Sequence, residues 1–210
     1  MVSERLIILI DTEDIMKQLN TRELVLCGLF IALITAGTFI RIPVGTDVYT
    51  LQFLFTLLAG LVLGARLGAI TVSAYVLLGL LGVPVFASGG GPAYILQPTF
   101  GYLLAFILQA WLGGFYARQG STVSYGRLLA ANLLGMVIVY VIGISWFYLF
   151  SNYVIATPIP LWTAIFYCGV LQVIPDFLLC LAAAAIGLRC YRSGVWIAEN
   201  HDTVHNEVCA

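Results

Sequence analysis

A chain of 210 residues, 61% of them hydrophobic and only 9% charged, is not a soluble domain, in which about a quarter of the residues carry charge. The formal net charge of −1 says nothing about nucleic acid, but no basic patch is present to bind it, and no nucleic-acid partner is expected. Apolar runs of roughly 17–25 residues recur, the length that crosses a bilayer as a helix and not as a barrel strand.

The expected architecture is all-α, a polytopic membrane protein with six transmembrane helices. One membrane domain over residues 22–191 lies between an N-terminal extension, 1–21, and a polar tail, 192–210. In the extension, the apolar run Leu6–Ile10 is too short to span, and Asp11, Glu13 and Asp14 follow it. That pattern fits an interfacial or cytoplasmic segment and not a signal peptide.

Span one is predicted over Glu23–Ile40. Gly28, Ala32 and Ala36 fall one turn apart and leave one helix face smooth. Such a face packs inside the bundle or docks a separate membrane subunit, and the spacing leaves both open. A short polar turn, Ile40–Asp47, leads to span two, Tyr49–Leu63, which runs into a second small-residue stripe at Gly60, Gly64 and Gly68. Arg66 marks a tight turn into span three, Leu67–Leu81.

The stretch Val83–Tyr102, VPVFASGGGPAYILQPTFGY, interrupts the apolar pattern without a single charge. Three consecutive glycines, Gly89, Gly90 and Gly91, and three prolines, Pro84, Pro92 and Pro98, prevent a regular helix there. Irregular backbone at a membrane is tolerated where it is buried in protein or lines a cavity, so this loop is a candidate wall or lid for a ligand, the alternative being an ordinary extramembrane turn. Span four follows over Thr99–Ala117, then a polar link, Arg118–Arg127, and span five, Leu128–Phe150. After the loop Ser151–Pro160, the apolar run Leu161–Leu188 contains Pro175, which predicts a sixth helix broken or kinked at that residue.

Lys17 and Arg22 precede span one, Arg66 joins two and three, Arg118 and Arg127 join four and five, and Arg189 and Arg192 follow six. The alternate connections hold only Arg41. The positive-inside rule then puts both termini in the cytoplasm and the glycine loop outside, with Arg41.

Asp176 is the one acidic residue deep in a span, a placement that costs ~2.5–3.5 kcal/mol on insertion scales and marks a functional position by default. Following Pro175, it suits the first turn of a helical segment, where free N–H groups tolerate a carboxylate. It is a ligand contact or a helix-capping residue. Lys17 is the one lysine and no phosphate-binding loop surrounds it, no second intramembrane Asp forms a dyad, and no HExxH or GxSxG motif occurs. The chain is therefore not expected to be an enzyme, nor to carry a cofactor. Cys27, Cys168, Cys180 and Cys190 have no metal-ligand spacing and read as small core hydrophobes; His201 and His205 sit in the polar tail, so no metal site is expected.

Several motifs carry a family resemblance. The runs Val48–Gln52, Leu58-Ala59-Gly60, Gly64, Gly68, Tyr75, Gly79 and Gly82–Ala87, continuing through Gly89–Gly91, Pro98-Thr99 and Gly101-Tyr102 to Pro175-Asp176, resemble the BioY-type biotin-binding S-component of energy-coupling factor (ECF) vitamin transporters. The resemblance covers residues 22–190. It implies a six-helix subunit of the cell membrane that captures its vitamin near the outer face. The site would lie under the loop between spans one and two and the glycine loop, which places Arg41, Gln52, Gly89, Gly90, Gly91, Ala93, Tyr94 and Tyr102 with Asp176 as substrate-binding candidates. It also implies docking through Ala32 and Ala36 on a transmembrane coupling subunit served by two cytoplasmic ATPases, and a role for Asp176 against the ureido ring of biotin. The chain departs from the family pattern at Leu179, where a lysine is usual, at Gly89, in place of an Asn, and at Gln97, in place of a glycine. Lipoate is the alternative ligand, and a self-sufficient secondary transporter the alternative class.

Overall fold

The computed structural model describes residues 20–44, 47–119, 123–154 and 159–197; the side chains of residues 41–49 and of Tyr167 lie outside the described set. Six helices form the fold: α1 (Thr21–Phe39), α2 (Gln52–Leu63), α3 (Ala65–Leu80), α4 (Phe100–Arg118), α5 (Tyr125–Tyr153) and α6 (Leu161–Arg192). Helices α1, α4, α5 and α6 are long and apolar enough to cross a membrane, whereas α2 and α3 have 12 and 16 residues. At 1.5 Å per residue α2 is about 18 Å long, well short of a ~30 Å hydrocarbon layer. It is the inner helix: ten of its 12 residues are buried, and it packs against α1, α3, α4 and α6. A helix apolar on every side belongs in that position. The outward faces of the others are apolar too, with Leu77 59%, Val141 62% and Ile174 71% exposed. Lipid, not water, is the solvent such a surface fits, and the protein is a multi-pass membrane protein.

Span two begins three residues later than expected because Asp47–Thr50 is a strand, β2, paired antiparallel with β1 (Arg41–Val44). What read as a polar turn is part of a β-hairpin, in the register Arg41 opposite Thr50 and Val44 opposite Asp47. Its β-branched residues Ile42, Val44, Val48 and Thr50 favour extended backbone.

Small residues let α2, α3 and α4 converge. A Cβ on Gly60 would lie 2.5 Å from the Ala110 carbonyl oxygen, one on Gly68 2.9 Å from Gly60 Cα, and one on Gly114 2.5 Å from Ala65 N. Gly64, at φ 95°, is the single residue between α2 and α3, a conformation that a side chain with a Cβ resists. The other small-residue stripe behaves differently: Gly28, Ala32 and Ala36 lie exposed on α1, and a Cβ on Gly28 would meet nothing within 4 Å.

The two ends of the bundle are unlike. At one, Arg118 in the last turn of α4 donates to the carbonyls of Leu61 (3.0 Å) and Val62 (3.1 Å) at the end of α2, and to Ile197 O (3.0 Å). The last carbonyls of a helix have no intrahelical partners, and a guanidinium fork both bonds them and opposes the negative end of the dipole. The same group lies over the Trp196 ring, 4.6 Å from its centroid, and Arg22 donates to Gly194 O. Arg66, Arg127, Arg189 and Arg192 lie at helix ends on this side. The opposite end carries the hairpin and the glycine loop, and among the described residues Arg41 is its one basic residue.

Of the expected break or kink at Pro175, helix α6 shows no break. That residue lies inside a regular stretch from Leu171 to Arg192, and the irregularity falls a turn earlier, as a π-helical turn at Phe166–Val170. A proline ring crowds the carbonyl four residues back and removes its hydrogen bond. Here that carbonyl belongs to Leu171, the first residue after the wide turn, so the helix yields on that side without breaking.

Candidate functional site

A cavity of about 570 Å³ opens at the hairpin and glycine-loop end, within the range of small-molecule sites. Its walls come from the start of α2, the glycine loop, the start of α4, the second half of α5 and the first half of α6.

On α6 the lining residues Ala164, Cys168, Gln172 and Asp176 recur every four positions. In an ideal α-helix each such step overshoots a full turn by about 40°, so three steps would rotate the last residue some 120° out of line. The π-helical turn holds more residues per turn and offsets part of that drift. The distortion next to Pro175 thus keeps one continuous stripe of α6 on the cavity.

Asp176 is not in the first turn of a helical segment, as its place after Pro175 suggested; it is the sixth residue of the regular stretch Leu171–Arg192. Its partner is a side chain and not a helix N-terminus. The Tyr140 hydroxyl, from α5, donates to Asp176 Oδ2 at 2.7 Å, and both residues line the cavity. A hydrogen bond to a charged group is worth about 1.5–3 kcal/mol. A carboxylate is acceptor-only, so Oδ1 and the remaining lone pair of Oδ2 can still take N–H or O–H donors from a ligand.

Across the cavity, Gln52 is buried at the start of α2 and donates from Nε2 to the Tyr75 hydroxyl (3.2 Å), which donates to Val85 O (3.0 Å). The Thr38 hydroxyl lies 3.2 Å from the same Tyr75 oxygen. These contacts tie α1, α2 and α3 to the first residues of the glycine loop. Phe86 is then buried over α3, edge-on to Tyr75 with centroids 5.6 Å apart and 4.4 Å from the Tyr94 ring. Its ring fills the space that a Cβ on Gly79 would occupy. Backbone bonds between Phe86 and Gly89 (2.9 and 3.1 Å) close a tight turn with Ala87 and Ser88 at its tip, and Gly91 N–H reaches Gly79 O at 2.7 Å. The tip is what lines the cavity.

Of the residues singled out in the sequence, Gln52, Tyr94, Tyr102 and Asp176 line this cavity together. Gly89, Gly90, Gly91 and Ala93 are not among the lining residues; the glycines shape the loop instead. Gly89 and Gly91 hold φ near 107° and 111°, and a Cβ on Gly90 would collide with the Val83 carbonyl. Arg41 opens β1 opposite Thr50, which is a lining residue, while the Arg41 side chain lies outside the described residues. Ala32 and Ala36 are on the exposed face of α1, away from the cavity. Sequence reasoning missed Tyr140, Gln172 and Cys168. For the last two a signal was present, since both lie at four-residue steps back from Asp176. Cys168, read as a core hydrophobe, is a cavity residue; Cys180 does occupy the core, where Asn132 Nδ2 donates to its carbonyl at 2.9 Å. Among the described residues no group of three His, Cys, Asp or Glu could hold a metal.

Known proteins resemble both sequence and structure. A protein of Lysinibacillus sphaericus described as a probable biotin transporter BioY is 37% identical over 178 residues, 84% of this chain and 90% of that protein. A protein of Pyrococcus horikoshii with the same description is 36% identical, over 81% of this chain and 97% of its own length. The crystal structure of the S-component for biotin from an ECF-type ABC transporter superposes with a TM-score of 0.71 at 28% identity, covering 81% of this chain and 90% of that one. The family model described as the BioY family matches residues 13–194, which takes in all six helices, the hairpin and every wall of the cavity. By that match and those relatives, this chain, a transporter component and not an enzyme, belongs to the BioY family.

Proposed function

We propose that the chain is the substrate-capture component of an ECF-type vitamin transporter and that its ligand is biotin. The observation that carries this reading is the Tyr140–Asp176 pair in a cavity of about 570 Å³. A ureido ring presents N–H donors on either side of its carbonyl, and a carboxylate oriented by one tyrosine retains an acceptor site for one of them. The valeryl carboxylate is left for the cavity mouth, where Arg41 opens β1 and where Thr50, Ser88 and Thr99 supply hydroxyls. Family membership and the likeness to the S-component for biotin support the same reading.

The cavity opens at the end opposite Arg22, Arg66, Arg118, Arg127, Arg189 and Arg192. The positive-inside rule makes that end extracellular and both termini cytoplasmic. Capture from outside is thus the geometry this arrangement supports. The exposed stripe of Gly28, Ala32 and Ala36 on α1 lets a partner helix approach closely, and we assign it to a transmembrane coupling subunit that brings two cytoplasmic ATPases.

The test is calorimetry of the purified protein with biotin and with lipoate, which has no ureido group. Saturable binding of biotin well above that of lipoate is the expected result. Preference for lipoate would keep the transporter class and replace the ligand.

A further inference from the structure

Asp176 can accept ring hydrogens, yet a cyclic urea or amide also presents a carbonyl oxygen, and that oxygen needs a donor when it leaves water. The Tyr140 hydroxyl proton is committed to Asp176 Oδ2. On α6, Thr163 and Cys168 also line the cavity, but they precede Asp176 by 13 and eight residues, about 20 and 12 Å along a helix, beyond the reach of one five-membered ring. Gln172 is four residues from Asp176, half-buried and on the cavity. Residues at that spacing have Cβ atoms about 5–6 Å apart. Among the described residues its amide has no hydrogen-bond partner, and it carries two N–H donors.

We propose that Gln172 is a specificity-determining residue: its Nε2 donates to the ligand's ring carbonyl while Asp176 accepts from the adjoining ring N–H. The pair forms a donor–acceptor edge, one turn of α6 long, complementary to the H–N–C=O edge of a cyclic urea or amide. The inference rests on the reading of the chain as a biotin-capturing subunit and deepens it. It also gives the stripe that the π-helical turn keeps in line a chemical use at two successive positions, 172 and 176.

The experiment is equilibrium binding of biotin and 2-iminobiotin to the purified full-length protein and to two variants. In 2-iminobiotin a protonated imine, a donor, replaces the ring carbonyl, an acceptor. Gln172→Leu should weaken biotin by roughly tenfold or more, the loss of one buried hydrogen bond. Gln172→Glu turns the donor into a charged acceptor and should raise the ratio of iminobiotin to biotin affinity by about tenfold or more over wild type. A ratio is insensitive to the fraction of protein that folds, and a side chain that only packs would lower both ligands together. An unchanged ratio in Gln172→Glu overturns the assignment, whether or not Gln172→Leu weakens binding. Wild-type protein that binds neither compound would instead overturn the biotin reading itself, and this inference with it.

Discussion

Tyr140 on α5 donates its one hydroxyl proton to Oδ2 of Asp176 on α6, 2.7 Å away, inside the cavity. The bond fixes one carboxylate oxygen and so decides which lone pairs a ligand meets. Truncating the tyrosine should loosen ligand binding through Asp176 and not through lost bulk. Tyr140→Phe is expected to weaken biotin by up to about tenfold, because Asp176 must then be ordered as the ligand binds; the bond itself is made with and without ligand and does not count in full. In the Asp176→Asn background the same change should cost at most a few-fold. A double-mutant cycle by calorimetry isolates the coupling; equal losses in both backgrounds would make Tyr140 a packing residue.

Phe86 and Gly79 give the second expectation. The Phe86 ring occupies the place of a Cβ on Gly79, so Gly79→Ala has to displace the ring that seats the glycine loop. Helix α3 should tolerate alanine, the better helix former, and circular dichroism should not change. Biotin affinity should fall, because Ala87 and Ser88 at the loop tip line the cavity. Adding Phe86→Leu, with its smaller side chain, should recover part of the loss. A Gly79→Ala protein of wild-type affinity would show that the loop adapts without cost to the site.

The sequence displayed the membrane character, the helix count and the loop at Val83–Tyr102 because each depends on composition or on short-range backbone rules. It concealed what depends on three-dimensional neighbours. Tyr140 is one of many aromatic residues in an apolar run, and nothing local to it points to Asp176, 36 positions on. The glycine triplet drew attention to itself, yet none of its residues lines the cavity, whereas the two before it do, since a tight turn projects its tip and not its base. Pro175 drew attention to the helix in which an irregular turn lies, but that turn, Phe166–Val170, ends one residue before Leu171, whose carbonyl the proline crowds, and no local signal marked it.

Arg118 counted in the sequence as one charge in a polar link. Its guanidinium instead bonds the carbonyls of Leu61, Val62 and Ile197. Arg118→Met keeps much of the length and loses these bonds, leaving the end of α2 uncapped. The expected cost is on the order of 3 kcal/mol, from two or more hydrogen bonds to a charged group. Thermal unfolding in detergent should register it, and Arg118→Lys should recover only part, since an ammonium lacks the planar fork. Biotin affinity of the folded fraction should not change, because the cavity lies at the other end of the bundle. A melting temperature equal to wild type would mean that water caps α2 equally well.

The last expectation concerns α1. Gly28, Ala32 and Ala36 form a smooth exposed stripe between larger exposed side chains, Leu24, Val25 and Leu29 toward one end and Phe39 at the other. In lipid no hydrophobic gain draws two helices together, so association depends on how closely backbones approach. An indole at Ala36 would hold a partner helix off by several ångströms without touching the cavity, which α1 does not line. Ala36→Trp should therefore abolish biotin uptake by cells that supply the coupling subunit and ATPases, while the purified variant binds biotin as wild type does. Ala36→Ser, nearly the same size, should retain uptake and serves as the control for a change at this position. Loss of binding together with uptake would mean that the stripe supports the fold, and full uptake by the tryptophan variant would place the docking surface elsewhere.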